Sequence, residues 1–260
     1  MSMVTKRINE IKQPKGGYIS PSLFEIYDID DSLVLNETEN VHATVTGLAV
    51  DYLTRFVMGT NVRDAFEISC IGAVYAEKMF GIKGAIEKAA ELLSGIKGLD
   101  NQSIINACKM VTYDVWKRNP IGAIMAKGAD DTNPDIETIQ NIKIMVERSV
   151  AFWIKYGPIV KDSFTFEPNG YTNTVDSGDG DYLTADTLWD FKVTKAKPTN
   201  KHTLQLLMYW IMGQHSGQEI FKSIRKIGIF NPRLNKVYLL DMKDVSEEII
   251  AEVEREVICY

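Results

Sequence analysis

GDGDYLTADTLWDFKVTKAKPTNKHTLQLLMY, residues 178–209, is the stretch whose reading decides the fold. It reads as a β-hairpin followed by a helix. Successive side chains of a strand point to opposite faces. Asp190 and Lys192 therefore share one face and Phe191 takes the other. The turn signal lies around Thr184–Thr187. A hairpin centred between Ala185 and Asp186 sets Asp181 directly opposite Asp190, because both are equidistant from that centre. Directly opposed residues lie about 4.5–5.5 Å apart at Cβ. Two carboxylates that close repel each other unless a cation sits between them. Mg²⁺ is a hard cation that takes oxygen ligands, commonly one or two carboxylates with waters and substrate phosphate. Lys192 would stand beside such an ion, where an ammonium can orient or deprotonate a water and stabilise charge developing on a phosphate.

An acid and a lysine on one strand face most often form a solvated surface. Leu188, Trp189, Phe191 and Val193 make this strand too apolar for a wet edge, and the preceding Tyr182-Leu183 supports a buried neighbour. A semi-buried strand that keeps two carboxylates and a lysine is costly unless they are paired or hold an ion.

GDGDYL, LWDFK and QLLMY in this order resemble the PD-(D/E)xK nuclease superfamily, in its RecB-type exonuclease branch. That branch carries a G-x-x-D strand, a D-x-K strand and a helix with Q-x-x-x-Y. The matching positions are Gly178 to Asp181, Asp190 to Lys192, and Gln205 to Tyr209. Gly180 stands where the superfamily name has proline. The resemblance covers residues 160–240 directly and the N-terminal region loosely. It implies an α/β fold: a restriction-endonuclease-like mixed β-sheet core flanked by helices, with a large helical insertion. It implies Asp181 and Asp190 as ligands of Mg²⁺ (or Mn²⁺), with the main-chain carbonyl of Phe191 as a third. Lys192 becomes the catalytic lysine, supported by Gln205 and Tyr209. Such nucleases often place a helical histidine or acid four residues after a glycine. Asp51, four after Gly47, is the matching further metal ligand, and Glu67 competes with it.

A chain of 260 residues can bury a proper core, as one large domain or as a domain with an insertion. No apolar run approaches the roughly 18 residues of a membrane span. The polar start, MSMVTKRINEIKQPK, lacks the apolar segment of a signal peptide, so no membrane is expected and a cytoplasmic location is the default. Cys70, Cys108 and Cys259 are scattered and form no CxxC or Cys/His cluster, which argues against zinc or an iron–sulfur cluster. Net charge is −6. Between Phe191 and Leu240, however, stand Lys192, Lys195, Lys197, Lys201, Lys222, Arg225, Lys226, Arg233 and Lys236 against the single acid Glu219. That surplus of eight leaves −14 for the rest of the chain. A local basic face on an acidic protein fits phosphate contact at one site rather than an extended coating of DNA.

Three parts follow from the patterning: 1–60 as the N-terminal part of the nuclease core, 61–157 as a helical insertion or lobe, and 158–260 as the catalytic core. Leu23–Asp28 and Ser32–Leu35 admit short strands or coil. Thr46–Met58 has a broad apolar face at helical spacing, with Asp51 and Arg55 one turn apart and His42 incidental just before it. Residues 61–157 read almost wholly helical, punctuated by Gly81, Gly84, Gly95 and Gly98. Asn133-Pro134 opens the last long helix, with proline at its first position. Trp116, Phe152 and Trp153 are core at this spacing unless they stack on bases. Ser163–Glu167 is a first strand of the sheet, and Asp176 and Asp179 flank the site in a loop. Thr199 or Asn200 caps a helix to about Met212, with Leu204, Leu207, Met208 and Ile211 as its core stripe. His202, Gln205 and Tyr209 form a neighbouring stripe toward the site, where His202 is a surface residue or reaches phosphate. Ile227–Phe230 and Lys236–Leu240 make a second hairpin, and Asp244 with Glu247 a capping box for the final helix.

The function these expectations define is an Mg²⁺-dependent DNA nuclease, an exonuclease in recombination, repair or a mobile element, with DNA and a protein of such a system as partners. The alternative is a module that keeps the nuclease fold and binds nucleic acid or protein without cleaving it. Neither a Gly-rich phosphate loop nor a G-x-S-x-G elbow nor a metal-binding histidine pair is present to suggest other chemistry.

Overall fold

The computed structural model describes residues 3–29 and 31–260. Its elements begin with α1 (Met3–Glu10), β1 (Glu25–Asp28), α2 (Ala43–Val57), α3 (Val62–Ala65) and α4 (Glu67–Phe80). Next come α5 (Ala85–Ser94), α6 (Asn101–Met110), α7 (Asp114–Arg118), α8 (Pro120–Ala123) and α9 (Ile136–Tyr156). Then follow β2 (Lys161–Phe164), β3 (Gly180–Leu183), β4 (Thr187–Phe191), α10 (Asn200–His215), β5 (Lys226–Asn231), β6 (Lys236–Asp241) and α11 (Glu247–Glu252). The chain divides into a sheet unit, residues 1–30 with 152–260, and a helical unit, residues 31–151. The boundaries drawn from sequence grouped residues 31–60 with the sheet; here they fall among the helices, and Asp51 and Glu67 with them.

The sheet unit is α/β. Six strands lie in the order β1-β6-β5-β4-β3-β2. Only β4 and β5 are parallel, joined through α10, so the sheet is mixed. A parallel pair needs a long crossover, and the helix supplies it. On one face Leu188, Ile227, Ile229 and Leu240 pack against Leu204, Leu207, Met208 and Ile211 of α10. These α10 residues are the expected stripe. Thr203, Leu206, Tyr209 and Met212 are buried as well, so the helix is covered nearly all round. Part of that cover is α1, whose Val4 and Ile8 sit one turn apart in the same core. On the other face Trp189, Phe230, Tyr182 and Val237 pack against Phe152 and Trp153 from the end of α9. Phe152 stacks on Phe230 with centroids 4.1 Å apart and planes 1° from parallel. Phe152 and Trp153 are thus core, and Trp116 tilts against Phe80 in the helical unit.

Several local expectations shift. Leu23–Asp28 does yield the short edge strand β1, paired with β6. Ser163–Glu167 moves back to Lys161–Phe164. The final helix is capped by Ser246, whose hydroxyl accepts from the Ile249 N–H, while Asp244 belongs to a preceding short turn. Gly180 explains the missing proline. Its partner across the strands is Phe164, and a Cβ on Gly180 would lie 2.1 Å from Cζ of that buried ring. Gly180→Ala should therefore destabilise the protein by about 1–3 kcal/mol, the range for overpacking a tight core. Urea unfolding of the variant measures it, and an unchanged midpoint would contradict the close approach.

In the helical unit α2 starts at Ala43 rather than Thr46. His42 is its cap: the ring Nδ1 accepts from the Thr44 N–H at 3.2 Å. The long helix α9 starts at Ile136, and Asp135, not Pro134, meets its first turn by accepting from the Thr138 N–H at 2.8 Å. Ser32–Leu35 is coil. Its backbone is held by side chains of α9: Arg148 Nη2 donates to the Leu33 carbonyl, and Asn141 Oδ1 accepts from the Asn36 N–H. Side chains that satisfy these groups leave no need for a strand partner. Gly81 ends α4 and Gly84 opens α5, both at φ above +70°, where glycine carries no Cβ penalty.

Candidate active site

The site lies where β4 ends and α10 begins. Tyr182 faces Trp189 and Leu183 faces Leu188, so the next pair in that register is Asp181 with Asp190. This is the register the hairpin spacing requires. The ladder stops there because the Asp181 carboxylate replaces it: Oδ2 accepts the Phe191 N–H at 2.8 Å. β4 continues one residue further against β5 through the Lys192 N–H, which donates to the Phe230 carbonyl at 3.0 Å.

Asp190 is 3% exposed. Its Oδ1 is 2.9 Å from Lys192 Nζ. Its other oxygen, Oδ2, is buried with no hydrogen-bond partner among the described residues. A carboxylate oxygen so placed has lost its water without gaining a donor, which costs several kcal/mol by order of magnitude. Burial pulls the Lys192 ammonium down, but the Asp190 and Asp181 carboxylates outweigh it and hold it above the ordinary lysine value. Lys192 is therefore a fixed cation in this setting, partly open to solvent.

α10 closes the site from above. Gln205 Nε2 donates to the Tyr209 hydroxyl at 3.0 Å. Burial raises the Tyr209 phenol, and Asp190, Asp181 and Asp179 raise it further, so this ring faces the carboxylates as a neutral donor. His202 stands at the third position of the helix. Its Nδ1 accepts from the Thr199 N–H at 3.0 Å, completing a capping box that sequence left between Thr199 and Asn200. Burial and Lys192 push its pKa down, against a weaker pull from Asp190, so the ring is neutral. The motif glycine Gly178 is needed for packing: a Cβ there would meet Val4 Cγ2 at 2.7 Å. Tyr171 fixes the same turn by donating to the Gly178 carbonyl. Asp176 and Asp179 are exposed.

Asp181, Asp190, Phe191, Lys192, Gln205 and Tyr209 are thus brought together in the sheet unit. Asp51 stands in the helical unit on α2, where its carboxylate pairs with Arg55 at 3.2 Å, the one-turn contact its spacing allows. Glu67 opens α4 of the same unit. Among the described residues no group of three or more His, Cys, Asp or Glu is set to hold a metal. The donor set in the sheet unit is a carboxylate pair with a neighbouring carbonyl. It still fits Mg²⁺, which commonly takes one or two carboxylates, and the orphaned Asp190 oxygen is the atom such an ion would satisfy.

The nine basic residues do not make one face. Lys222, Arg225 and Lys226 sit where β4 and β5 start, and Lys226 pairs there with Asp186 at 2.8 Å. Lys192, Lys195, Lys197, Lys201, Arg233 and Lys236 collect at the opposite end, where the carboxylates are. Of these, Lys236 is paired with Asp28 and Lys201 donates to Asn9. Sequence could not separate the two ends, because the split depends on β4 and β5 being parallel.

Cys70, Cys108 and Cys259 are free thiols. Cys108 is buried, which pushes its pKa up to about 12 and leaves it inert. Among the described residues no helix is long and apolar enough to cross a membrane.

No protein-family model, no curated protein and no solved structure matches the chain. Fold and site by themselves define an α/β protein with helices on a six-stranded mixed sheet. A buried Asp190, a half-buried Asp181 and a lysine lie by the carboxyl end of the one parallel strand pair among the described residues.

Proposed function

We propose that this protein is a metal-dependent deoxyribonuclease with a restriction-endonuclease-like core of the PD-(D/E)xK type. The observation that carries the reading is Asp190. It is buried, faces Asp181 across the hairpin, is paired on one oxygen with Lys192 and has no partner on the other among the described residues. Such a group is costly to maintain without a ligand, and the residue types around it suit phosphodiester chemistry.

Asp181, Asp190 and the Phe191 carbonyl would hold Mg²⁺ or Mn²⁺. When bound, the ion supplies Lewis acidity and a water acidified toward neutrality. The remaining roles belong to the chain. Lys192 places a fixed positive charge beside the acid pair, where it orients a water and offsets charge growing on the phosphate. The amino end of α10 points its positive pole toward the same end of the sheet. Lys195 and Lys197, on the exposed loop between β4 and α10, supply the first contacts with the DNA backbone. Gln205 and Tyr209, bonded to each other, hold the α10 side of the site in place. The RecB-type resemblance favours an exonuclease working on DNA ends in recombination, repair or a mobile element.

The test is incubation of the purified protein with linear and circular, single- and double-stranded DNA in Mg²⁺ or Mn²⁺. Degradation of linear DNA is expected, abolished by EDTA. Survival of circular DNA would mark an exonuclease. No cleavage of any substrate by folded protein would defeat the reading. Asp51 lies in the helical unit and pairs with Arg55, so among the described residues no third acid joins Asp181 and Asp190, which favours as a second reading a nuclease-fold module that has lost its metal and binds without cleaving. That reading predicts DNA retention in a gel shift with no metal-dependent rise in melting temperature.

A further inference from the structure

The helical unit encloses a second site that the nuclease reading does not use. A cavity of about 830 Å³ opens between the start of α2, the α7 region and the 125–133 loop. That volume suits a drug-sized organic molecule. Val45, Leu48 and Val115 form an aliphatic stretch of its wall without being fully buried. Asp114 forms the floor and is 1% exposed. It accepts from the Tyr52 hydroxyl at 2.6 Å, from the Ser69 hydroxyl, and from Arg118 Nε at 3.4 Å. The acid is therefore already saturated by donors, and burial raises its pKa despite them.

Asp114 and Tyr52 together aim Arg118. Nε is held by the acid and Nη2 by the Tyr52 oxygen at 3.3 Å, so the guanidinium is locked on one edge. Among the described residues nothing bonds its Nη1. Lys127, exposed on the rim, also has no partner there. His42 accepts at Nδ1 from the Thr44 N–H, so its Nε2 carries the proton at the same mouth. Against these donors stands one rim acid, Asp131, which is exposed to solvent. The cations Arg118 and Lys127 outnumber the one rim acid, and beside the apolar stretch of wall they select an anionic head with an apolar body.

We infer that this cavity binds an amphipathic organic anion, with a carboxylate or phosphate head on Arg118 and Lys127 and its hydrocarbon part along Val45 and Leu48. The inference is independent of the nuclease reading, since every residue it uses lies in the helical unit. Titration with the fluorescent anion anilinonaphthalene sulfonate tests it on the full-length protein. One probe molecule per chain is expected, displaced by octanoate or octyl phosphate and not by octanol. The better competitor of the two anions identifies the head group. Ala126→Trp fills the mouth from an exposed position, and Lys127→Met removes a cation that holds nothing else; each should weaken the probe about tenfold or more at unchanged melting temperature. Arg118→Met should do the same, but it can also disturb Asp114, so the first two variants decide. Probe binding unaffected by Ala126→Trp, or displacement by octanol as effective as by octanoate, would overturn the inference.

Discussion

Asp190→Asn and Lys192→Ala should each lower metal-dependent DNA cleavage by about 10²–10³-fold, the scale for removing one aligned electrostatic group from a reacting centre. The two losses should differ in kind. Asp190 supplies the unpartnered oxygen that an ion would satisfy. Its amide variant should therefore lack the rise in melting temperature that Mn²⁺ is expected to give the wild type. Lys192 instead shares Asp190 with any ion, its Nζ lying 2.9 Å from Oδ1. Lys192→Ala should keep the Mn²⁺ shift and enlarge it, because the variant begins with a buried carboxylate that has lost its counter-charge. Removing one partner of a buried pair costs about 3–5 kcal/mol, and an ion can restore much of that. A Lys192→Ala protein that Mn²⁺ leaves unmoved would place no metal at the acid pair. Full cleavage by either variant would take the chemistry away from these residues.

The second large effect lies far along the chain. Asp31→Asn should destabilise the helical unit by about 3–5 kcal/mol, because it removes the counter-charge of the buried Arg148 guanidinium. That side chain is 6% exposed and grips Asp31 through one edge of its guanidinium, Nε to Oδ2 at 2.5 Å and Nη2 to Oδ1 at 3.0 Å. The Arg148 bonds hold the Asp31 carboxyl below the usual carboxylate range. A depressed folded pKa gives stability that is complete above the unfolded value, near 3.9, and is lost as pH falls through the folded one. Wild type and variant should differ by a constant amount between roughly pH 5 and 7, and the gap should close below roughly pH 4. Urea unfolding across that range reads it directly. A gap that persists at low pH would mean that the Asn variant acts through packing instead. The double variant Asp31→Leu with Arg148→Met should recover most of the loss, since a well-packed apolar pair often matches a buried ion pair.

Sequence alone was enough for the centre of the sheet. The turn at 184–187 and the equal distances of Asp181 and Asp190 from its centre set the register, which pairs Leu183 with Leu188 and Tyr182 with Trp189. The α10 core stripe and the second hairpin follow from local periodicity in the same way. The helical run after residue 61 was legible because apolar faces repeat at helical spacing and glycines break it.

Other features depended on partners distant in the chain. Nothing local says that Ser32–Leu35 stays coil; Arg148 and Asn141, more than a hundred residues on, hold the backbone at Leu33 and at Asn36 just after it. β1 is a strand only because β6 offers it an edge. Gly180 looks like a departure from a motif until Phe164 is seen against it. The division of the basic residues between two ends of the sheet follows from β4 and β5 running parallel, which no charge count contains. The same holds for the two sites. Sequence pointed to Asp181, Asp190 and Lys192 because strand geometry is short-range. Only the packed structure showed that one Asp190 oxygen is buried without a donor. Only packing showed Tyr52, Ser69 and Asp114 joined to aim Arg118 into a cavity, since their meeting is set by α2, α4 and α7 coming together rather than by any spacing along the chain.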